Sequence, residues 1–184
     1  MSRFLPVHWV PKLLISMFCM HSMLQLSDTD GVHRKPLDLH NQKAAVFIFV
    51  GVECPISNSY APEINRIIKT YKDKGLDFYI VYSDPNLSVD DAKKHAKEFG
   101  YTCPALMDPQ QKLLKKVNAT ATPEAAVVDA KGQVLYLGRI DNWYEDFGKQ
   151  RYAATTHDLR DALDAIAAGK KVATPVTKVV GCPV

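Results

Sequence analysis

Long unbroken runs of apolar residues mark the strands of a buried sheet. Residues 44–50, AAVFIFV, are rich in β-branched and aromatic side chains and predict a strand buried on both faces. Residues 76–83, LDFYIVYS, predict a second central strand. Residues 124–129 and 133–139 predict two further strands with a short turn between them, and therefore an antiparallel hairpin.

Between these runs, apolar residues recur at helical spacing. The clearest helix begins near Pro55 and extends to about Lys74, and Pro62 is expected to kink it. Shorter segments complete the pattern: helices at about 88–99, 111–117 and 155–168, a short strand at 105–107, and a short strand or hairpin within 24–31. Alternating strands and helices followed by a hairpin predict an α/β fold with a central mixed β-sheet and helices on both faces.

The composition is that of one globular domain. The chain has 184 residues, of which 47% are hydrophobic and 23% charged, so it is neither disordered nor collagen-like. The formal net charge is +3 and no basic run forms a patch, so we expect no nucleic acid partner. We place the domain at residues 24–169 and a tail at residues 170–184.

The first 23 residues differ from the rest of the chain. Arg3 and Lys12 precede an apolar stretch that is too short for a transmembrane helix, so we expect no stable membrane insertion. The layout is that of a weak signal peptide, but no A-x-A cleavage site follows it. Two alternatives stay open for residues 1–23: the signal peptide of an exported, periplasmic or extracytoplasmic protein, or the disordered N-terminus of a cytoplasmic one.

One cysteine stands where a sheet of this kind places its chemistry. Cys54 follows the strand at 44–50 and precedes the first long helix, and ligands gather at the carboxyl ends of such strands. The N–H groups and the partial positive charge at a helix N-terminus stabilise a thiolate, so we expect the pKa of Cys54 to lie below that of a free thiol. An inert buried cysteine is the alternative.

Other kinds of site have little support. The four cysteines lie too far apart for a CxxC motif and there is no glycine-rich phosphate loop, so we expect no metal and no cofactor. A metal held by Cys54, Cys182 and His157 is the weaker alternative. The histidines in the middle of the chain, His95 among them, are expected at the surface.

Several short motifs resemble those of one known family. They are CPISNSYAPEI from Cys54, ATPE around Thr122 and Pro123, GRID from Gly138, FGKQR from Phe147, HDLRDAL from His157, and GC at Gly181 and Cys182. Over residues 24–184 the chain resembles the redoxin group of the alkyl hydroperoxide reductase and thiol-specific antioxidant superfamily. That resemblance implies a thioredoxin-like fold.

The resemblance also implies roles for individual residues. Cys54 matches the nucleophilic cysteine, and Ser57 stands where thioredoxin has its resolving cysteine. A hydrogen bond from the Ser57 hydroxyl to the thiolate is expected. Pro123 matches the cis-proline that faces the active cysteine, which would let the Thr122 backbone pair with an extended substrate.

These roles imply a thiol-disulfide oxidoreductase whose partner is a thiol or disulfide protein or a small thiol. A thiol-dependent peroxidase acting on peroxide is one alternative. Its support is weaker because Phe47 and Gly51 stand where the peroxiredoxin signature has a proline and a threonine or serine. A redox-inactive binding module that uses the groove around Pro123 is the other alternative.

If Cys54 has a disulfide partner within the chain, a thiol distant in sequence has to supply it. We expect Cys182 rather than Cys103, because Cys103 precedes Pro104 and a predicted strand that hold it in the fold. Cys182 lies in the tail, which we expect to be mobile, and Gly181 gives its backbone freedom to turn. The alternative is that Cys54 works alone with an external thiol.

The segment at residues 141–152 is charged and aromatic without a regular period. It carries four aromatic side chains: Trp143, Tyr144, Phe147 and Tyr152. Their apolar area is too large to leave in water, so we expect this segment to pack beside the active-site face. Packing over the core far from Cys54 is the alternative.

Overall fold

The computed structural model describes residues 24–184, so the expected signal peptide or disordered segment at residues 1–23 lies outside the described residues. The helices of the described part are α1 (Pro55–Tyr71), α2 (Val89–Glu98), α3 (Lys112–Val117) and α4 (Asp158–Ala167). The strands are β1 (Leu26–Asp28), β2 (His33–Arg34), β3 (Ala44–Phe49), β4 (Leu76–Tyr82), β5 (Ala105–Met107), β6 (Ala121–Thr122), β7 (Glu124–Asp129), β8 (Val134–Gly138), β9 (Tyr144–Asp146), β10 (Lys149–Gln150) and β11 (Cys182–Pro183).

The main sheet has the mixed direction that the sequence predicts. Its order is β2-β1-β5-β4-β3-β7-β8. Strand β4 runs parallel to both β3 and β5, whereas β3, β7 and β8 are antiparallel neighbours. Two further pairs lie outside this sheet, β9 with β10 and β6 with β11. Parallel crossovers followed by a hairpin therefore produce the α/β architecture.

The central strand β3 separates two apolar clusters. Val46 and Ile48 face a cluster that also contains the buried sides of α1 and α4. Phe47 and Phe49 point to the other face, where they pack with α3 and with residues near β1. Because successive strand residues point to opposite faces, every residue of β3 is buried. The expectation of helices on both faces of the sheet is confirmed.

Helix α1 carries the candidate nucleophile at its start. Pro55 is its first residue, a position where the missing N–H costs no helical hydrogen bond. Its apolar side chains lie on one face, and the helix continues through Pro62 as a single element. It ends at Tyr71, three residues earlier than the sequence suggests: Lys72 N–H makes the last helical bond, to the carbonyl of Ile68, and the chain then tightens into a turn in which Lys74 N–H donates to Tyr71 O.

The tail is docked, which corrects the expectation of a mobile segment. Leu137 N–H donates to Pro175 O at 2.8 Å, and Thr177 N–H donates to Leu137 O at 3.1 Å. Further along, β11 pairs antiparallel with β6. Backbone groups at strand edges need hydrogen-bond partners, and the tail supplies them at two edges. The polarity of the tail's side chains gives no indication of this docking, because the bonds are made by the backbone.

The buried carboxylate of Glu124 holds the turn that leads into β6. Thr120 N–H donates to Glu124 Oε2 at 2.6 Å and Ala121 N–H donates to the same oxygen at 3.1 Å. We expect Glu124→Ala to lower the free energy of unfolding by about 2 kcal/mol, because it leaves these donors without partners. Urea unfolding at neutral pH measures this, with Glu124→Gln as the matched variant that keeps an acceptor oxygen. Equal losses in the two variants would contradict this role.

Candidate active site

Cys54 is the residue that caps α1. Its backbone is extended, and Ser57 N–H at the first turn of the helix points at Cys54 Sγ at 3.4 Å. On its other side, the sulfur lies 3.1 Å from the carbonyl oxygen of Thr122. The side chain is 4% exposed. The helix N-terminus therefore directs an N–H donor at the sulfur, an arrangement that favours a thiolate once the cysteine is reduced.

Cys54 forms a disulfide with Cys182 across 128 residues of sequence. The two Cα atoms are 6.0 Å apart, which is an ordinary separation for a disulfide. Strand pairing places the second cysteine there, because Cys182 lies opposite Thr122 in the β6–β11 register. The sulfur atoms therefore meet beside the start of α1. The catalytic roles of the two cysteines remain predictions.

The Ser57 hydroxyl has a different partner from the one expected. It is fully buried and accepts a hydrogen bond from Gly51 N–H at 3.3 Å. The donor that faces the sulfur is the Ser57 backbone N–H rather than its side chain. A Cβ atom at position 51 would lie 2.9 Å from Thr122 Oγ1 and 3.1 Å from Cys54 Cβ. Glycine at position 51 thus allows the loop to pass close to both residues.

The Thr122–Pro123 peptide bond is cis, and both residues are buried beside the disulfide. The backbone edge that the resemblance assigns to a substrate is occupied by the tail of the same chain. Gly181 lies against this peptide group, since a Cβ atom there would be 2.7 Å from the carbonyl carbon of Thr122. Glycine is therefore needed at position 181 because the backbone of Thr122 lies so close. The sequence suggests a different reason, the freedom of the backbone to turn.

Cys103 is the free thiol among the cysteines of residues 24–184. Burial raises its pKa to about 12. The thiol is therefore protonated at neutral pH, and a protonated thiol is a poor nucleophile.

His95 is buried, which corrects the expectation of a surface histidine. It is 4% exposed and packs against Phe99 with ring centroids 4.5 Å apart. The sequence contains a signal for this: Ala92, His95 and Phe99 follow one another at helical spacing, so they share the face of α2 that turns to the core. The polarity of histidine alone predicts a surface position.

A chain of hydrogen bonds connects His95 to the loop before Cys54. His95 Nδ1 lies 2.8 Å from the Tyr82 hydroxyl, and Nε2 lies 2.9 Å from Asn58 Oδ1. Asn58 Nδ2 in turn donates to Val52 O at 2.9 Å. With neutral His95, the Tyr82 O–H donates to Nδ1 and Nε2–H donates to Asn58, so every member has a partner. Burial lowers the pKa of His95, which favours this neutral form.

The aromatic segment at 141–152 packs against α1 with half of its aromatic residues. Trp143 and Tyr144 contact the ring of Tyr60, with centroids 5.5 and 5.8 Å away. The Tyr60 hydroxyl donates to Asp141 Oδ1 at 2.7 Å. The other two aromatics, Phe147 and Tyr152, are exposed. The packed pair therefore supports the first turns of α1, close to Cys54.

A cleft of about 980 Å³ opens beside the disulfide. It extends from Cys54 and Cys182 past Asn58 to α2 and the loop before it. Its ionisable lining is mostly acidic: Glu53, Asp84, Asp91 and Glu98, with Lys94 and His95. Cys54 is reached from this cleft.

The described part of the chain contains neither a metal-binding cluster nor a helix fit to cross a membrane. Residues 24–184 bring no three His, Cys, Asp or Glu side chains together in a metal-binding group. His157 is exposed at the start of α4. Across the same residues, no helix combines the length and apolarity that crossing a membrane requires.

A cysteine capping the first long helix, a cis-proline loop beside it and a mixed sheet define a thioredoxin-like protein. The Redoxin family model matches residues 16–149, and the chain belongs to the Redoxin family. Thiol-disulfide oxidoreductase ResA from Geobacillus kaustophilus is 30% identical over 113 residues, 61% of this chain and 63% of that protein. The chain thus spans less than two thirds of this relative's length.

Solved structures share the fold. A hypothetical protein from Sinorhizobium meliloti 1021 has a TM-score of 0.76 at 25% identity, covering 88% of this chain and 89% of that one. A secreted Mycobacterium tuberculosis disulfide oxidoreductase, described as homologous to E. coli DsbE, has a TM-score of 0.55 at 16% identity, covering 80% and 96%. The second match concerns the fold alone. The predicted thioredoxin-like fold is confirmed.

The buried His95 is expected to make the stability of the protein depend on pH. Because burial lowers its pKa below the ordinary value of 6.5, the unfolded chain binds the proton more readily. Stability that is fully present above pH 6.5 is therefore lost as the pH falls towards the folded-state pKa, by at most about 1.4 kcal/mol per pH unit. Urea unfolding between pH 5 and 8 measures this loss.

The matched variant is His95→Gln, which can accept from Tyr82 and donate to Asn58 but does not titrate. It should remove the pH-dependent loss while keeping most of the stability at neutral pH. His95→Leu should lower stability at every pH, because it leaves the Tyr82 hydroxyl and Asn58 without partners. The same pH slope in His95→Gln and in the unchanged protein would refute the role of this histidine.

Proposed function

We propose that the protein is a thiol-disulfide oxidoreductase that cycles Cys54 and Cys182 between a dithiol and a disulfide. The observation that carries this is the Cys54–Cys182 disulfide at the N-terminus of α1, beside the Thr122–Pro123 peptide. The name of the related ResA protein supports the same activity. The partner is a thiol or disulfide group, on a protein or on a small thiol.

In the reductive direction, the Cys54 thiolate attacks one sulfur of a partner disulfide. A Cys54–partner bond forms, the partner's own S–S bond breaks, and its second sulfur leaves with the electron pair and takes up a proton. The Cys182 thiolate then attacks Cys54 Sγ and the first partner sulfur leaves as a thiol. Two electrons and two protons pass to the partner, and Cys54 and Cys182 end as the disulfide. The steps reverse to oxidise a partner dithiol.

The surroundings of Cys54 suit its role as the attacking sulfur. The Ser57 N–H and the helix N-terminus stabilise negative charge on it. The cleft gives a partner access from one side. Cys103 is unsuited to the same role, since burial raises the pKa of its thiol to about 12. A second cysteine within bonding distance gives Cys54 a partner for reversible oxidation, which an isolated buried cysteine lacks.

The peroxidase alternative has less support from the geometry. A threonine or serine three residues before the cysteine is part of the peroxiredoxin signature, and position 51 is glycine. A side chain there would meet Thr122 Oγ1 and Cys54 Cβ, so the loop has no room for one in its present position. In a redox-inactive binding module the Cys54–Cys182 disulfide would serve only as a structural cross-link. Its place at the N-terminus of α1, which favours a thiolate, supports exchange chemistry instead.

Replacement of single cysteines tests the proposed function. We expect Cys54→Ser to abolish disulfide reductase activity, because the attacking sulfur is lost. Cys182→Ser should retain the first attack and accumulate a mixed disulfide on Cys54, because the second attack is lost. The first outcome is measured by the rate at which the protein catalyses the reduction of a protein disulfide by a dithiol. Mass spectrometry of the trapped species measures the second.

Cys103→Ser is the matched control and should keep full turnover, since that thiol takes no part. Full disulfide reductase activity in Cys54→Ser would contradict the proposed function. Peroxide turnover in the unchanged protein at the rate of disulfide exchange, with sulfenic acid on Cys54, would favour the peroxidase instead.

A further inference from the structure

The outer edge of β6 is a backbone surface that needs a partner. Ala121 and Thr122 are buried, and within residues 24–184 the strand that pairs with them is β11. Val184 N–H extends this pairing by donating to Thr120 O at 3.2 Å. If β11 left, these groups would present an unpaired edge directly beside Cys54, and such an edge accepts another extended chain.

The part of the tail that covers this edge is lightly attached. Thr177 anchors the tail upstream, where its Oγ1 accepts from Arg139 N–H at 3.0 Å and contacts the Tyr136 hydroxyl at 2.9 Å. Residues 178–184, which follow this anchor, are all exposed or half-buried. Once the disulfide is reduced, they are held by a few backbone hydrogen bonds and by the partial packing of Val180 and Cys182 against the core. A competing segment can therefore replace them.

The fit at this edge is selective for one residue type. Gly181 precedes the cysteine, and a Cβ atom there would lie 2.7 Å from the carbonyl carbon of Thr122 and 3.2 Å from Pro123 N. The colliding atoms belong to backbone rather than to a flexible side chain. Any segment that seats its cysteine opposite Thr122 in this register meets the same obstacle one residue earlier.

The resemblance already assigns the edge of β6 to an extended substrate. Resting on the proposed function, we propose that the partner's cysteine-bearing segment reaches this edge by displacing residues 181–184, whose antiparallel register it takes over. The partner is an extended protein segment with glycine directly before its cysteine. In the mixed disulfide, its cysteine is bonded to Cys54 and lies opposite Thr122. The displaced Cys182 then attacks Cys54 Sγ from the cleft that Pro183 and Val184 line, the partner sulfur leaves as a thiol, and the tail returns to the edge.

Two synthetic peptides test this in the full-length Cys182→Ser protein. One has the sequence of residues 177–184, TKVVGCPV, and the other has alanine in place of its glycine. Each is allowed to form a mixed disulfide with Cys54 in a glutathione buffer, and mass spectrometry gives the equilibrium constant. We expect the glycine peptide to be favoured about tenfold, because the alanine peptide cannot hold the strand hydrogen bonds and the disulfide together.

A peptide with alanine at the lysine, TAVVGCPV, is the matched control and should behave like the glycine peptide. A ratio below threefold between the glycine and alanine peptides would overturn the proposal. If all peptides form mixed disulfides equally, this inference alone fails. If Cys54 forms none, with glutathione included, the proposed function fails as well.

A second variant tests the same fit inside the chain. Gly181→Ala should make the Cys54–Cys182 disulfide about tenfold easier to reduce in a glutathione titration, equivalent to about 30 mV. Lys178→Ala changes an exposed residue of the same tail and should have no effect. Thermal unfolding of the reduced proteins checks that Gly181→Ala retains its fold. A reduction equilibrium within threefold of the unchanged protein would refute the close fit at residue 181.

Discussion

The pairing of β11 with β6 is the interaction on which the site depends. It brings Cys182 to within 6.0 Å of Cys54, Cα to Cα, although 128 residues separate them. The start of α1 holds one sulfur and the edge of β6 holds the other. A thiol at the end of a free tail would be beside Cys54 for only part of the time, whereas strand pairing raises its local concentration through backbone hydrogen bonds.

In a CxxC motif, one helix turn carries both cysteines of the disulfide. In this protein the second cysteine lies on a different element. The residue at the third position after Cys54 is serine, and its hydroxyl is free to hold Gly51 of the loop before the nucleophile. The second thiol comes instead from a strand that also covers the edge beside Cys54. The disulfide therefore fixes in place the strand that covers this edge.

Two sets of buried polar groups hold the first turns of α1 from opposite sides. Asn58 connects to His95 and to the carbonyl of Val52. Tyr60 donates to Asp141, and that carboxylate also accepts from Trp143 N–H at 2.9 Å. Each group has a partner, so the networks favour one geometry of the helix start over others. The position of Cys54 follows from that geometry.

The sequence by itself determined the elements that depend on near neighbours. The strand at 44–49, the start of α1 directly after Cys54 and the hairpin of β7 and β8 follow from the period of apolar residues and from proline and turn positions, which are local properties. It also favoured Cys182 over Cys103 as the disulfide partner of Cys54. One reason for that choice was wrong, because the tail is docked rather than mobile.

Only the tertiary structure decided what the polar groups of the site contact. The docked tail, the burial of His95 and the bond from Gly51 to the Ser57 hydroxyl all require atoms brought together by folding. The docking of the tail and the bond from Gly51 both involve main-chain N–H or C=O groups, which nearly every residue carries. The pattern of side chains along the sequence therefore cannot predict them. Gly181 illustrates this, because its small size matters only against the carbonyl of Thr122, a backbone group 59 residues earlier in the sequence.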